Sequence, residues 1–511
     1  MYFIKGFAFL AAVLAIGFFT WRSLTDPKLH RWSDLRFAAV IPLAGVGYLA
    51  PNIWMYYGAV TAAMIFLPRS RGEAGCLFLI IALMLPLVEH EIRIGSVLLI
   101  KMSTLLAAAI GLLAAFRFPG DPARFRQASA RCDVLAFAMF LLLVVIDTRI
   151  ATTSLTTVLR TSLTIGMTFF LPYWFLARLP LNGQDPRRLI HCIAMIAFIL
   201  ALVAIFETVR NWPLYQVMER NLDISSRAKS MNVRAGFLRS PGPFFESTTF
   251  GLFLALGTTF LSSSRSLFRS KTVYWGAAAI CVIGTSATLA RNAWLGLIVG
   301  LVFITLYRGR SERFFGLTVG GLFALAVLSL VASSSERLGA VIGLEGHAAS
   351  TGDYREDLLS NSIPLIMKSP LFGTPYDRVL GYMRPIMRSS ELSVDYVNSY
   401  LYFTVATGFI GLVIFVIYTC YTPYRLLMLR SRLKGVPREY EAATAVFAGS
   451  GAFLVMIVFT SYYERMPLFG AILIAFARQV ELWTRNQAGL AGPKRVATPR
   501  TEEKLAGRVV D

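Results

Sequence analysis

The segment Ile190–Phe206, IHCIAMIAFILALVAIF, runs for seventeen residues without a formal charge. Roughly 20 apolar residues in a helix cross the hydrocarbon core of a bilayer, so this stretch with its flanks reads as one membrane span. The same signature recurs in both directions. It appears at Phe3–Thr20, Phe37–Leu67, Ala74–Val88, Leu98–Phe116, Val134–Ile146, Leu155–Ala177 and Phe244–Leu261. It continues at Val273–Ala287, Ala293–Tyr307, Phe314–Ala332, Tyr400–Tyr418, Ala442–Thr460 and Pro467–Trp483. The run Phe37–Leu67 is too long for one ordinary span, and Pro51-Asn52 divides it into two short helices with a turn. The expected fold is therefore all-α: a polytopic integral membrane protein with about 14–15 transmembrane helices. Residues 1–20 lack a small-residue cleavage pattern before Trp21 and read as a retained first helix.

Composition agrees. Of 511 residues, 56% are hydrophobic and 15% charged, and mean hydropathy is +0.60. A soluble globular chain carries about 25% charged residues, so a soluble enzyme and a disordered chain are both excluded. Five cysteines without CxxC spacing exclude a disulfide scaffold, and four histidines without a Cys/His cluster argue against a zinc site. The net charge of +21 is informative through its placement. Basic connectors lie at 22–36, 68–73, 117–132, 178–189, 262–272, 308–313 and 421–440, and the intervening ones are poor in cations. By the positive-inside rule this sets the polar tail 484–511 in the cytoplasm. It sets two long loops, 209–243 and 333–396, on the other side. The expected organisation is one transmembrane domain over 1–483 followed by a basic, disordered tail beside anionic lipid.

Loop 209–243 departs from the charge rule. Arg210, Arg220, Arg227, Lys229, Arg234 and Arg239 outnumber Glu219 and Asp223 where cations should be scarce. An anion held at the outer surface would compensate, and the planar guanidinium fork suits phosphate. The loop ends Arg239-Ser-Pro-Gly-Pro-Phe-Phe-Glu246 and then enters a helix, whose start offers free N–H groups and a positive dipole end. Arg291 is the second candidate. It stands between two apolar runs with almost no loop, at the membrane boundary, where an unpaired charge is costly. Loop 333–396 has eight acids against six bases. Its Asp353-Tyr-Arg-Glu356 reads as a capping box opening an amphipathic helix, with Tyr354, Leu358, Leu359, Ile363, Ile366 and Met367 on one side. Ser369-Pro370 stops that helix. Its acids could accept hydrogen bonds from sugar hydroxyls. Inside the spans the ionisable residues are few: Lys5, Lys101, Arg160, His191, Glu207 and Arg478. Most stand near a predicted helix end, where they can snorkel, and they form no chain of the kind a proton-coupled transporter carries.

Four segments in this order resemble the O-antigen ligase and polysaccharide polymerase family of bacterial envelopes. They are Arg239-Ser-Pro-Gly-Pro-Phe-Phe; Ala290-Arg291-Asn-Ala-Trp-Leu-Gly296; the helix from Arg355 to Pro370-Leu-Phe-Gly373; and Val397-Asn398-Ser-Tyr-Leu401, followed by Gly408-Phe-Ile-Gly-Leu412. The resemblance spans about residues 200–420. It implies a GT-C-like helical bundle with a large periplasmic loop, in the bacterial inner membrane, with its active side periplasmic. It also implies a glycosyltransferase without metal or cofactor that uses undecaprenyl-pyrophosphate-linked glycan. Arg239, Arg291 and Arg355 then hold the pyrophosphate, with Arg234, Glu246 and Asn398 as further substrate contacts. Membrane lipids and other polysaccharide-assembly proteins, such as a flippase or a chain-length regulator, are the implied partners; nucleic acid is not. Family ligases carry a histidine where this chain has Val397, which favours a polymerase of exopolysaccharide, capsule or O-antigen repeat units over a ligase. His347 lies too far away in the loop to inherit that role. Asp395, two residues before Val397, is the candidate proton acceptor. The competing class is a flippase or exporter of the lipid-linked sugar, which predicts a polar cavity through the bundle and paired repeats.

Overall fold

Where no water reaches the backbone, each segment must satisfy its own N–H and C=O groups, and a helix does this. The apolar segments are accordingly helical. A computed structural model describes residues 2–32, 35–87, 92–94, 98–118, 130–150, 154–179, 187–222, 233–234, 236–310, 312, 316, 319–321, 327, 349–384, 394–462 and 465–490. Along the first half run α1 (Tyr2–Leu24), α2 (Val40–Leu49), α3 (Ile53–Phe66), α4 (Arg71–Met84), α5 (Met102–Leu112), α6 (Ala130–Ile150), α7 (Leu155–Ile165), α8 (Leu171–Ala177), α9 (Arg188–Arg210) and α10 (Leu214–Asn221). Next come α11 (Ser247–Ser263), α12 (Lys271–Ala287), α13 (Arg291–Arg308), α14 (Ala349–Lys368), α15 (Tyr376–Met383), α16 (Ser399–Leu433), α17 (Pro437–Met456) and α18 (Met466–Leu490). Among the described residues, strand pairs are confined to two short antiparallel hairpins, β1 (Ile92–Ile94) with β2 (Leu98–Ile100) and β3 (Val233–Arg234) with β4 (Phe237–Leu238). The protein is an all-α polytopic membrane protein.

Among the described residues five helices are long and apolar enough to cross a membrane: Ile4–Leu24, Arg188–Arg210, Ser399–Leu433, Pro437–Phe459 and Met466–Thr484. Other expected spans are shorter or composite. Leu155–Ala177 is α7 and α8 joined through a π turn at Gly166–Phe170. Phe37–Leu67 breaks at Pro51-Asn52, as its sequence requires, and the Asn52 side chain caps α3 by accepting from Met55 N. The run beginning at Leu98 opens as a strand instead. Its helix starts at Met102, because the Thr104 hydroxyl takes the Lys101 N–H at 2.8 Å. The run Phe314–Ala332 lies largely outside the described residues.

Apolar on all sides, α9 sits at the centre of the bundle. Small residues set its distance from its neighbours. A side chain at Gly257 of α11 would meet the Ala197 methyl, and one at Gly284 of α12 would meet Ala201. Three charged or polar residues expected to snorkel are instead fully buried. His191 accepts from Trp21 Nε1 at 3.1 Å. Arg478 donates to Ala177 O at 2.7 Å and pairs with Asp133 at 3.3 Å. Glu207 accepts backbone and hydroxyl protons. Each has partners inside the bundle, which removes the reason to reach for water.

The two long loops are partly ordered elements. Loop 209–243 contains α10 and the β3–β4 hairpin. In loop 333–396, α14 begins at Ala349, four residues before Asp353, so Asp353 lies inside the helix and not at its start. The helix does stop at Lys368. Leu358, Ser362 and Leu365 face inward, whereas Leu359, Ile363 and Met367 are exposed. The tail 491–511 and residues 333–348, including His347, lie outside the described residues.

Candidate active site

The turn between β4 and α11 begins the site. Pro241 and Pro243 restrict the chain, and Gly242–Phe244 forms a single 3-10 turn. Phe245 follows at φ 57°, and Glu246 closes the turn by capping α11, accepting from Thr249 N at 2.9 Å and from the Thr249 hydroxyl. Arg239 stands immediately before this turn. The hairpin preceding it is held by Asn211, the left-handed residue that ends α9. Its Oδ1 accepts from Leu238 N at 2.7 Å and its Nδ2 donates to Gly236 O at 3.4 Å.

The hairpin is fastened to the α12–α13 junction. Arg234 Nη1 donates to Leu289 O at 3.2 Å, Ser240 N donates to Ala287 O at 3.4 Å, and the Thr208 hydroxyl donates to Ala287 O at 2.8 Å. Leu289 takes φ 50°, and α13 starts two residues later at Arg291. The cap position Ala290 offers no side-chain acceptor, so the positive end of the α13 dipole is left uncapped beside the guanidinium groups.

Arg355 comes from the second turn of α14 and lies 5.5 Å above the Phe459 ring. Asp395 is exposed. Its Oδ1 accepts from Ser461 Oγ at 2.6 Å and its backbone oxygen from the Tyr354 hydroxyl at 3.1 Å. Asn398 caps α16 by accepting from Leu401 N at 3.1 Å, so its carbonyl is committed to the helix. The stretch Phe459-Thr460-Ser461 ties these parts together. Beyond its contacts with Arg355 and Asp395, Thr460 Oγ1 accepts from Asn292 Nδ2 at 2.8 Å and Thr460 O accepts from Ser399 Oγ at 2.5 Å.

These contacts gather Arg234, Arg239, Arg291 and Arg355 into one electrostatic group. Burial pulls the Arg239 guanidinium down to about 10; Arg234 and Arg291 lower it further and Glu246 opposes them. Arg234 is lowered by burial and by Arg291. Arg355 is lowered by burial and by Arg291, with Asp395 opposing. Arg291 thus acts on all three. Four cations face two carboxylates, and the Nε atoms of Arg239 and Arg355 have no hydrogen-bond partner among the described residues. Such a group suits a multiply charged anion with several acceptor oxygens. No group of three or more His, Cys, Asp or Glu side chains that could hold a metal occurs among the described residues.

The four arginines and Asp395 stand out in the sequence, whereas the structure adds Asn211, Asn292, Phe459-Thr460-Ser461 and Arg465. The last is buried, with its guanidinium 4.5 Å over the Phe244 ring and Nη2 donating to Pro243 O at 3.0 Å. An arginine just before an apolar helix was the available signal, and Thr460-Ser461 offered none.

Residues 276–416 match the family model described as O-Antigen ligase. The matched segment contains Arg291, Arg355, Asp395 and Asn398; Arg234, Arg239 and Glu246 precede it. The match supports the O-antigen ligase and polymerase family, and with it a glycan-transfer function of that type. No curated protein matches the chain.

Proposed function

We propose that the protein polymerises undecaprenyl-pyrophosphate-linked polysaccharide repeat units on the periplasmic side of the inner membrane. The growing glycan passes from its lipid diphosphate to a hydroxyl of the next lipid-linked unit. Arg234, Arg239 and Arg291 hold the donor diphosphate, and Arg355 closes over it from α14. The bond between the anomeric carbon and the diphosphate oxygen breaks with its electron pair on the leaving group. The arginines stabilise the charge that grows there. The acceptor oxygen forms the new glycosidic bond, and its proton passes to Asp395, whose Oδ1 is already held by Ser461. The observation that carries this reading is that the hairpin bearing Arg234 and Arg239 is tied to the start of α13, where Arg291 stands, and that Arg291 lowers Arg234, Arg239 and Arg355 alike.

Ligation of finished glycan to a lipid or protein acceptor is the second reading, favoured by the description of the matched family. Val397 in place of a histidine favours polymerisation. Deleting the protein separates the classes. Single repeat units accumulating on the outer leaflet support a polymerase, and long chains left on the lipid identify a ligase. Single units confined to the inner leaflet identify a flippase. Arg239→Ala and Arg291→Ala should reproduce the deletion at normal membrane abundance. Normal chain length and yield in both variants would remove the arginine site.

A further inference from the structure

Glu207 lies in the last turn of α9 with none of its surface exposed. Burying an ionisable carboxylate is costly, so its partners should explain it. Oε1 accepts from Leu214 N at 2.9 Å. Oε2 accepts from Ser240 Oγ at 2.5 Å and from Gly242 N at 3.1 Å. Two of these three donors belong to the turn that follows Arg239. On the other side of that turn Arg465 donates to Pro243 O and stacks on Phe244. It also donates to Ala82 O at 3.4 Å and Leu85 O at 3.5 Å, which fixes it to the end of α4. The turn is therefore gripped by a carboxyl group at its donors and by a cation at an acceptor and a ring.

We propose that Glu207 is a positioning residue for Arg239, holding the Ser240–Gly242 backbone so that the guanidinium is aimed into the anion site. The inference rests on the diphosphate reading of the arginine group. Glutamine cannot replace the carboxylate. It is nearly the same size, but it offers one acceptor oxygen and an NH2 group, and that NH2 would face a donor. Losing an oriented hydrogen bond to the buried carboxyl group loosens the turn without opening a cavity. The site should then misplace Arg239 while the bundle keeps its fold.

The test compares wild type, E207Q, R239A and the double variant in lipid nanodiscs. Hydrogen exchange over residues 207–246 reads the tether directly. E207Q should exchange at least tenfold faster at Leu214 and Gly242, with α11 and α12 unchanged. Titration with undecaprenyl pyrophosphate reads its consequence. E207Q and R239A should each weaken binding tenfold or more, and the double variant should be no weaker than R239A alone. Unchanged exchange in E207Q overturns the proposal, as does wild-type affinity in E207Q when R239A has lost it. Multiplying losses in the double variant also overturn it, since they mean that Glu207 acts independently of Arg239. If R239A binds like wild type, the diphosphate reading fails instead. Reactivity of Arg239 toward phenylglyoxal then decides the tether, which stands if E207Q alters it and falls if it does not.

Discussion

Arg239 shows how a single side chain can be set against its own fold. Burial and the nearby cations lower it to about 10, and a guanidinium is neutral above its pKa. A depressed cation pKa means that the charged form is disfavoured in the folded protein: the penalty is complete below about pH 10 and fades as pH rises from there toward the ordinary arginine value. Two outcomes follow at this scale. Arg239→Gln should melt later than wild type without ligand, by about 1 kcal/mol of stability. Inorganic pyrophosphate should raise the melting temperature of wild type and leave the variant unchanged; equal shifts in both would contradict the site. After correction for the ionisation of pyrophosphate itself, its affinity for wild type should fall as pH rises through about 10, measured by titration at constant ionic strength. Asp395→Asn should cut the transfer rate by roughly 10²–10⁴ with little change in donor affinity, the range for a lost general base. Chain-length assays with purified lipid-linked units would show this. The arginines were legible because the positive-inside rule leaves few cations in the connectors it assigns to the outer side. Glu207 and Arg465 were visible as letters, but their burial and partners come from residues far away in the chain.

At the scale of elements, α16 and the turn after α14 form one joint. Gly408 interrupts α16 with φ 69° and ψ −166°. The freed amides of Phe409 and Ile410 donate to Pro370 O at 2.8 Å and Leu371 O at 3.4 Å, and Thr374 N donates to Val405 O at 2.8 Å. Arg149 reaches in from α6 and donates to Ala406 O at 2.7 Å and to Phe372 O. Gly373 also has positive φ, and a Cβ there would stand 2.5 Å from Thr407 N, while one at Gly408 would stand 2.3 Å from the Leu371 carbonyl carbon. Both glycines are needed for conformation and for space. Gly408→Ala should therefore cost at least the roughly 1–3 kcal/mol of a strained backbone, read as early melting and low membrane abundance. The joint also fixes α14, and with it Arg355, against the α16 end that carries Asn398. The break at Pro51-Asn52 and the stop at Ser369-Pro370 were readable, since proline removes a donor wherever it stands. The break at Gly408 was not, because a glycine inside an apolar run is silent until another backbone fills the gap. Asp353 misled for the reverse reason: a capping pattern was present, but the helix had already begun.

For the whole molecule the prediction concerns sidedness. Phe237 is exposed beside Arg234, and Ser431 is exposed near the far end of α16. The part of α16 after the break at Gly408, Phe409–Leu433, is about 37 Å long, enough to bridge the hydrocarbon core. A cysteine at Phe237→Cys should react with an impermeant maleimide added outside, and one at Ser431→Cys only after the membrane is opened. The reverse pattern would place the arginine group in the cytoplasm and end the proposed reaction. The amino-acid sequence on its own determined that this chain is helical and membrane-embedded, because hydrophobic length and backbone self-satisfaction are properties of each segment alone. It also fixed which connectors are basic and which residues could bind an anion. Only the tertiary structure decided that Arg234, Arg239, Arg291 and Arg355 share one electrostatic field and that residues 459–461 tie their supports together. The reason is distance along the chain: charges separated by fifty or more residues interact only where packing brings their helix ends together.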